Sequence, residues 1–128
     1  MAPKIITVDL SGPLCDVIFE GEDAGALKPI NEVKDAKGRY RDSLAKTFAS
    51  IIRSSSEGDA VKYLDDSIDL LQTGKLKVVQ SDYEAYLNLA KSSKSTWVVF
   101  RAQIIRAFEA GKKASDQEEK VKEGSSEK

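Results

Sequence analysis

The chain of 128 residues has no histidine, and this absence excludes several kinds of active site. Ser-His-Asp and Cys-His catalysis both need an imidazole base, and histidine-ligated zinc or haem needs an imidazole ligand. The single cysteine, Cys15, excludes an internal disulfide and a thiolate metal cluster. Because Cys15 lies in an apolar run beside Asp16, whose charge raises a thiol pKa, we interpret it as a small core residue.

Long hydrophobic runs and an excess of one charge are also missing. Twenty Lys and Arg residues face 21 Asp and Glu residues, so the net charge of -1 gives no strong field toward nucleic acid or anionic lipid. No apolar window approaches the ~20 residues that a membrane-spanning helix needs. The first ten residues also lack the pattern of a signal peptide. We therefore expect a soluble, cytoplasmic protein with no membrane partner.

The first third of the chain has the residue pattern of β-structure. Residues 5–10 and 14–19 are β-favouring runs, and the Ser-Gly-Pro sequence at 11–13 is typical of a turn. These two runs predict a short N-terminal β-hairpin. The acidic, glycine-containing segment 20–28 is predicted to be a loop, and it matches no phosphate-binding glycine motif.

From residue 42 onward the apolar residues recur with a helical period, which predicts four helices. Asp42 is the expected cap of the first helix, and a Ser56–Asp59 capping box begins the second. Gly74 is the expected end of the second helix. The residues predicted to face the core are Leu44, Phe48, Ile51 and Ile52 in the first helix and Val61, Leu64, Ile68 and Leu71 in the second.

The third helix is predicted from a second capping box, Ser81-x-x-Glu84, and the fourth runs from about residue 96 to 110. Gly111 is the expected stop of the fourth helix. The predicted buried stripes are Tyr83, Tyr86, Leu87 and Ala90 in the third helix and Trp97, Phe100, Ile104 and Phe108 in the fourth.

After Gly111 the apolar pattern ends, since ten of the 17 residues 112–128 are charged. Such a segment buries too little surface to offset the entropy of ordering it, which predicts a disordered, charged C-terminal tail. The predicted organisation is one globular domain over residues 1–111. Its predicted fold class is α+β and mostly helical, with an N-terminal β-hairpin followed by about four helices packed as helical hairpins.

Two groups of charged residues suggest binding sites. Asp65 and Asp69 stand four apart on one helix and could hold a hard cation, but a solvated helix face is the favoured interpretation. The last two helices could form a helix-turn-helix, although Arg101 and Arg106 lie roughly 140° apart around the helix axis. Packing as a helical hairpin is therefore favoured over DNA reading.

Four short segments resemble small uncharacterised proteins encoded by tailed bacteriophages and prophages. The segments are GDAVK at 58–62, LLQTG at 70–74, SDY at 81–83 and VFRAQII at 99–105. The resemblance covers about residues 35–108, and this chain departs from it in the bulkier Trp97-Val98-Val99-Phe100 start of the last helix. The resemblance implies a small non-enzymatic phage factor in the bacterial host cytoplasm or associated with the virion, and it transfers no catalytic residue.

Two functional hypotheses follow. The first is a protein–protein interaction role in virion assembly, as a chaperone-like factor or as an adaptor, with another phage or host protein or a second copy as partner. The second is nucleic-acid binding or host-takeover regulation, which requires salt-dependent binding. No enzyme activity, catalytic residue, cofactor or metal is expected. The residues proposed as the interaction surface are Lys91, Lys94, Arg101, Arg106, Lys112 and Lys113.

Overall fold

The computed structural model of the chain describes residues 4–55, 58–94 and 96–126, with side chains as far as residue 118. Its fold is α+β and mostly helical, which confirms the predicted fold class. The strands are β1 (Ile5–Asp9), β2 (Cys15–Val17), β3 (Leu27–Pro29) and β4 (Lys75–Val79). The helices are α1 (Leu44–Arg53), α2 (Ala60–Thr73), α3 (Tyr83–Ser92) and α4 (Val98–Ser126), with a 3₁₀ turn at Gln80–Asp82 before α3.

The strands form two separate antiparallel pairs. β2 pairs with β3 as an N-terminal hairpin, so the predicted hairpin is present but has different strands. β1 pairs instead with β4, and Ile5 stands opposite Val79 while Asp9 stands opposite Lys75. In both β1 and β4 every second side chain is buried, so this long-range pairing places two apolar faces in the core together. The predicted pairing of residues 5–10 with 14–19 is therefore wrong.

The core lies between the β1–β4 pair and the helices, and aromatic rings fill its centre. The ring of Phe48 on α1 packs against Phe108 on α4 at 5.2 Å and against Tyr86 on α3 at 6.3 Å, measured between ring centroids. Tyr83 joins Phe108 at 5.8 Å. All four residues come from predicted buried stripes and are buried, which confirms those parts of the helical patterns.

Two of the predicted helix starts differ from the structure. Ser43, rather than Asp42, caps α1, since its hydroxyl accepts from the backbone N–H of Lys46 at 3.2 Å. α3 begins at Tyr83, after the 3₁₀ turn, so the predicted start at Ser81 is wrong. Asp59 caps α2, whereas Ser56, its predicted partner in a capping box, lies outside the described residues.

α4 does not end at Gly111, so the predicted stop is wrong. The helix continues to Ser126, and Gly111 is instead the point at which α4 passes close to β1. A Cβ atom at Gly111 would lie 2.5 Å from the carbonyl oxygen of Thr7, so only glycine allows this approach. Beyond the crossing, the ammonium of Lys4 donates to Asp116 at 2.7 Å. The domain boundary between residues 111 and 112 stays a prediction.

Candidate interaction surface

α2 carries an exposed apolar face, formed by Val61, Leu64, Ile68 and Leu71, which we call the α2 face. The side chains of these residues are 69%, 59%, 42% and 43% exposed, in that order. The prediction that this stripe faces the core is therefore wrong. Helices in soluble proteins normally bury such a stripe, and a contiguous exposed apolar patch is typical of an interaction surface.

The opposite side of α2 packs on the rest of the protein, and for this reason the predicted core stripe faces solvent. Leu70 and Ser67 are buried there, and Tyr63 is half-buried beside the core. The hydroxyl of Ser67 donates to the carbonyl of Tyr63 at 2.7 Å, so this small polar side chain is satisfied inside the helix interface. α2 therefore docks through a narrow, partly polar side and leaves its more apolar stripe toward solvent.

Both ends of α2 are fixed by specific hydrogen bonds. The Asp59 side chain accepts from the backbone N–H of Lys62 at 3.1 Å, and Gly74 ends the helix in a left-handed conformation with φ of 75°. The guanidinium of Arg39 donates to the carbonyl oxygens of Leu71 and Gln72 at 2.8 and 2.6 Å. The α2 face is consequently presented by a helix with both termini capped.

A polar network lies between α2 and α3, behind the α2 face. The hydroxyl of Tyr86 donates to Asp66, and the ammonium of Lys62 donates to Asp82. Burial raises the pKa of Asp66, although the hydrogen bond from Tyr86 acts in the opposite direction. Burial and that same hydrogen bond raise the pKa of Tyr86. These groups hold two helices together, and their shifted pKa values have a structural cause.

Opposite charges border the two long sides of the α2 face. On the side of α1, Arg53 lines a groove of about 290 Å³ with Leu64, and Lys46 lines another of about 220 Å³ with Leu71. Asp35 and Arg39 also line the second groove, but they form an ion pair with each other at 3.3 Å, so the net charge there comes from Lys46. We call Lys46 and Arg53, both exposed, the basic border. On the other side of the helix stand Asp65 and Asp69, also exposed, which we call the acidic border.

The six basic residues proposed from the sequence have different surroundings in the structure. Arg101 is a structural residue, because its guanidinium donates to the carbonyl oxygens of Lys91 and Thr96 at 2.5 and 3.0 Å. This guanidinium fixes the end of α3 to the start of α4. The other five side chains, those of Lys91, Lys94, Arg106, Lys112 and Lys113, are exposed.

Lys112 and Lys113 lie among acidic residues. They line a groove of about 520 Å³ between α3 and α4 together with Glu84, Glu109 and Asp116. The ammonium of Lys112 also lies 5.4 Å from the ring centre of Tyr83 on the same side. Three carboxylates near two ammonium groups cancel the positive field that phosphate binding requires. The nucleic-acid hypothesis thus gains no support from this groove.

A second apolar patch is formed where α4 begins. Trp97 is 70% exposed and its ring stacks on Phe100, with ring centres 5.7 Å apart and an interplanar angle of 4°. Val98 beside them is also exposed. The prediction that Trp97 belongs to the core stripe of the fourth helix is therefore wrong, since only Ile104 and Phe108 of that stripe are fully buried.

No helix in the described part of the chain combines the length and apolar character needed to span a bilayer. The described residues also contain no group of three or more His, Cys, Asp or Glu side chains placed to hold a metal ion. Comparisons with protein-family models, curated proteins and solved structures find no match to this chain.

Proposed function

We propose that this chain is a small non-enzymatic protein that acts by binding another protein through the α2 face. The exposure of Val61, Leu64, Ile68 and Leu71 is the observation that carries the proposal. Transfer of such side chains from water to a protein surface is favourable by about 25 cal/mol per Å² of apolar area. The resemblance to bacteriophage proteins adds the expectation of a partner involved in assembly or in control of the host.

The arrangement of the ionisable groups supports a binding role over catalysis. Asp66 and Tyr86 have raised pKa values, but they bond to each other between two helices. Cys15 has a pKa raised by burial, and its thiol donates to the carbonyl of Pro13. A raised thiol pKa lowers the fraction of thiolate, which is the reactive form. The surroundings of Asp66, Tyr86 and Cys15 are therefore typical of residues that stabilise the fold.

The test compares capture of cellular proteins by three forms of the full chain. Ile68→Glu places a charge in the middle of the α2 face, and Phe19→Glu makes the same kind of change in the β2–β3 connection, at a residue that is 83% exposed. Each form is immobilised at low surface density, so that copies of the chain do not contact each other. The proteins that it retains from an extract of the cells that express the chain are identified by mass spectrometry. Deletion of residues 112–128 gives a fourth form.

We expect the wild type, the Phe19→Glu variant and the deletion to retain the same protein, and Ile68→Glu to lose it. A charge at the centre of an apolar contact must be desolvated without a partner, and this cost reduces binding. A partner retained equally by Ile68→Glu would contradict the proposal. So would a wild-type chain that associates with no protein, including itself.

A further inference from the structure

The α2 face has the residue order of a two-stranded coiled-coil seam. Val61, Leu64, Ile68 and Leu71 are spaced by three, four and three residues, which is the spacing of heptad positions a, d, a and d. The a positions are β-branched and the d positions are leucine. This choice favours a parallel dimer in coiled coils.

From these features we infer that the α2 face binds a second copy of this chain, with the two α2 helices parallel. This inference rests on the proposed function and names its partner. The copies are related by a two-fold axis along the helices, so each seam residue meets its own counterpart. The seam is isologous, meaning that both copies use the same surface.

The charged borders distinguish the parallel from the antiparallel arrangement. A two-fold axis along α2 exchanges left and right, so the basic border of one copy faces the acidic border of its partner on both sides of the seam. An axis perpendicular to α2 leaves left and right unchanged, so like charges face each other. Like-charge contacts oppose association, whereas opposite charges also accelerate it.

The positions of the charges along the helix also match. Arg53 lines its groove together with the first turn of α2, from Ala60 to Leu64, and Asp65 is the next residue along the helix. Lys46 lines its groove together with the last turn, from Leu70 to Gly74, and Asp69 comes just before that turn. In a parallel pair each cation therefore lies at about the height of a carboxylate of the second copy, within one helical turn of about 5.4 Å.

The size of the seam predicts a weak dimer. Two heptads bury less than the ~800 Å² per partner of a standard interface, even with the charged borders included. We therefore expect dissociation in the micromolar range. Sedimentation equilibrium of the full chain, measured from low micromolar to several hundred micromolar, should show a reversible shift from monomer to dimer.

Single substitutions test which surface forms the dimer. Ile68→Glu should weaken the dimer more than about tenfold, because two buried carboxylates would meet at the same position in the seam. Phe19→Glu, the control in the β2–β3 connection, should leave the dissociation constant unchanged. Circular dichroism of both variants checks that each one is folded. A dimer that is insensitive to Ile68→Glu would overturn the inference.

Charge reversal tests the borders. Lys46→Glu with Arg53→Glu makes both borders acidic, and Asp65→Lys with Asp69→Lys makes both basic, so each variant alone should be monomeric. An equal mixture should form a heterodimer at least as well as the wild type, and the association should weaken with salt. If the mixture fails to associate, the borders do not face each other and the inference is overturned.

A cysteine in the seam tests whether the two α2 helices run parallel. In a Cys15→Ser background, Val61→Cys places the new thiols next to each other in a parallel pair. In an antiparallel pair centred on the seam they would be roughly 15 Å apart, at 1.5 Å per residue. Disulfides require Cα atoms within about 7 Å. Mild oxidation should thus give a covalent dimer, and its absence would overturn the parallel arrangement.

The outcomes for self-association and for the proposed function are separable. A wild-type chain that remains monomeric at several hundred micromolar overturns the inference. The proposed function would still stand if the dilute chain retained a different protein through the α2 face. The proposed function fails if Ile68→Glu retains the captured protein as well as the wild type does, or if the wild-type chain associates with no protein, including itself.

Discussion

At the scale of single residues, Gly111 shows how tertiary packing overrides helix propensity. Alanine is preferred over glycine inside a helix by about 1 kcal/mol, so Gly111→Ala should stabilise an isolated α4. In the folded chain the new methyl group would lie 2.5 Å from the carbonyl oxygen of Thr7 and 3.5 Å from the Cα of Val8. Backbone atoms of a buried strand pair cannot move aside as a flexible side chain would.

We therefore predict that Gly111→Ala lowers the free energy of unfolding by about 1–3 kcal/mol, the usual cost of overpacking. Chemical denaturation followed by circular dichroism measures the change. Ala110→Gly, the reverse substitution at the exposed neighbouring position, is the control and should cost about 1 kcal/mol through propensity alone. A stabilising Gly111→Ala would show that α4 and β1 do not approach each other at this residue.

Asp66 gives a prediction for pH. Burial raises its native pKa above the unfolded value of 3.8, so the native state holds this proton more tightly than the unfolded state does. The resulting contribution to stability is fully present below the unfolded pKa and is lost as the pH rises through the native pKa. Asparagine does not titrate, and its side-chain oxygen can still accept from Tyr86.

We predict that the stability of Asp66→Asn relative to wild type rises from about pH 3 to about pH 7. Urea denaturation at a series of pH values measures this difference. Tyr86→Phe is a second test: it removes the hydrogen bond that lowers the pKa of Asp66, so the stability of this variant relative to wild type should fall as the pH rises. Parallel curves for Asp66→Asn and wild type would contradict the prediction.

At the scale of elements, one side chain joins α4 to the N-terminal hairpin. The Gln103 side chain accepts from the backbone N–H of Cys15 at 3.0 Å, and its amide nitrogen donates to the carbonyl of Cys15 at 2.8 Å. The same nitrogen donates to the carbonyl of Val99 at 3.0 Å. An amide group thereby pairs with β2 in the way a neighbouring strand would.

We predict that Gln103→Glu releases the β2–β3 hairpin without unfolding the domain. A carboxylate cannot donate, and it would repel the Cys15 carbonyl, at a cost of about 1–3 kcal/mol. Because Cys15 is the only cysteine, its rate of reaction with a thiol reagent reports local opening and should rise about tenfold or more. Gln80→Glu, on an exposed residue, should leave the rate unchanged. Equal rates in both variants would show that Gln103 does not hold the hairpin.

Local sequence patterns predict the helices well but not which face of α2 is buried. The 3.6-residue period of Val61, Leu64, Ile68 and Leu71 identifies a helix with an apolar side, and the helix is present. The period alone cannot tell a core contact from a contact with a second molecule. The features from which we infer a second molecule are the heptad order, with alternating β-branched residues and leucine, and the polar Ser67 and Asp66 on the side that packs on the protein.

Strand pairing was less predictable because it depends on distant parts of the chain. The Ser-Gly-Pro turn at 11–13 favours a hairpin on local grounds, yet β1 pairs with β4, about 70 residues away. What decides the pairing is that Ile6 and Val8 can share one core with Leu76 and Val78. The predicted helix stop at Gly111 is wrong for a related reason. A glycine at a close crossing has the same sequence pattern as a C-terminal cap when only its neighbours in sequence are considered.

At the scale of the whole molecule, charged side chains of the segment after Gly111 contact the surface of the domain. Lys4 donates to Asp116 across the surface, and Lys112 lies over the Tyr83 ring. Exposed ion pairs contribute about 0–1 kcal/mol, and exposed cation–π contacts about 0.5–1 kcal/mol. Most of the stability should therefore reside in residues 1–111, as the sequence predicts.

Two truncations test this boundary. A chain ending at Gln117 keeps both contacts, so its free energy of unfolding should lie within about 0.5 kcal/mol of the full chain. A chain ending at Gly111 loses both contacts, and its last helical turn, which holds Gly111 on β1, is expected to fray. This chain should still unfold cooperatively, but its free energy of unfolding should be about 1–2 kcal/mol lower than that of the full chain. Thermal and urea denaturation measure both values. A chain ending at Gly111 that fails to fold would place the boundary beyond residue 111, because the contacts of Lys112 and Asp116 would then be essential to the domain.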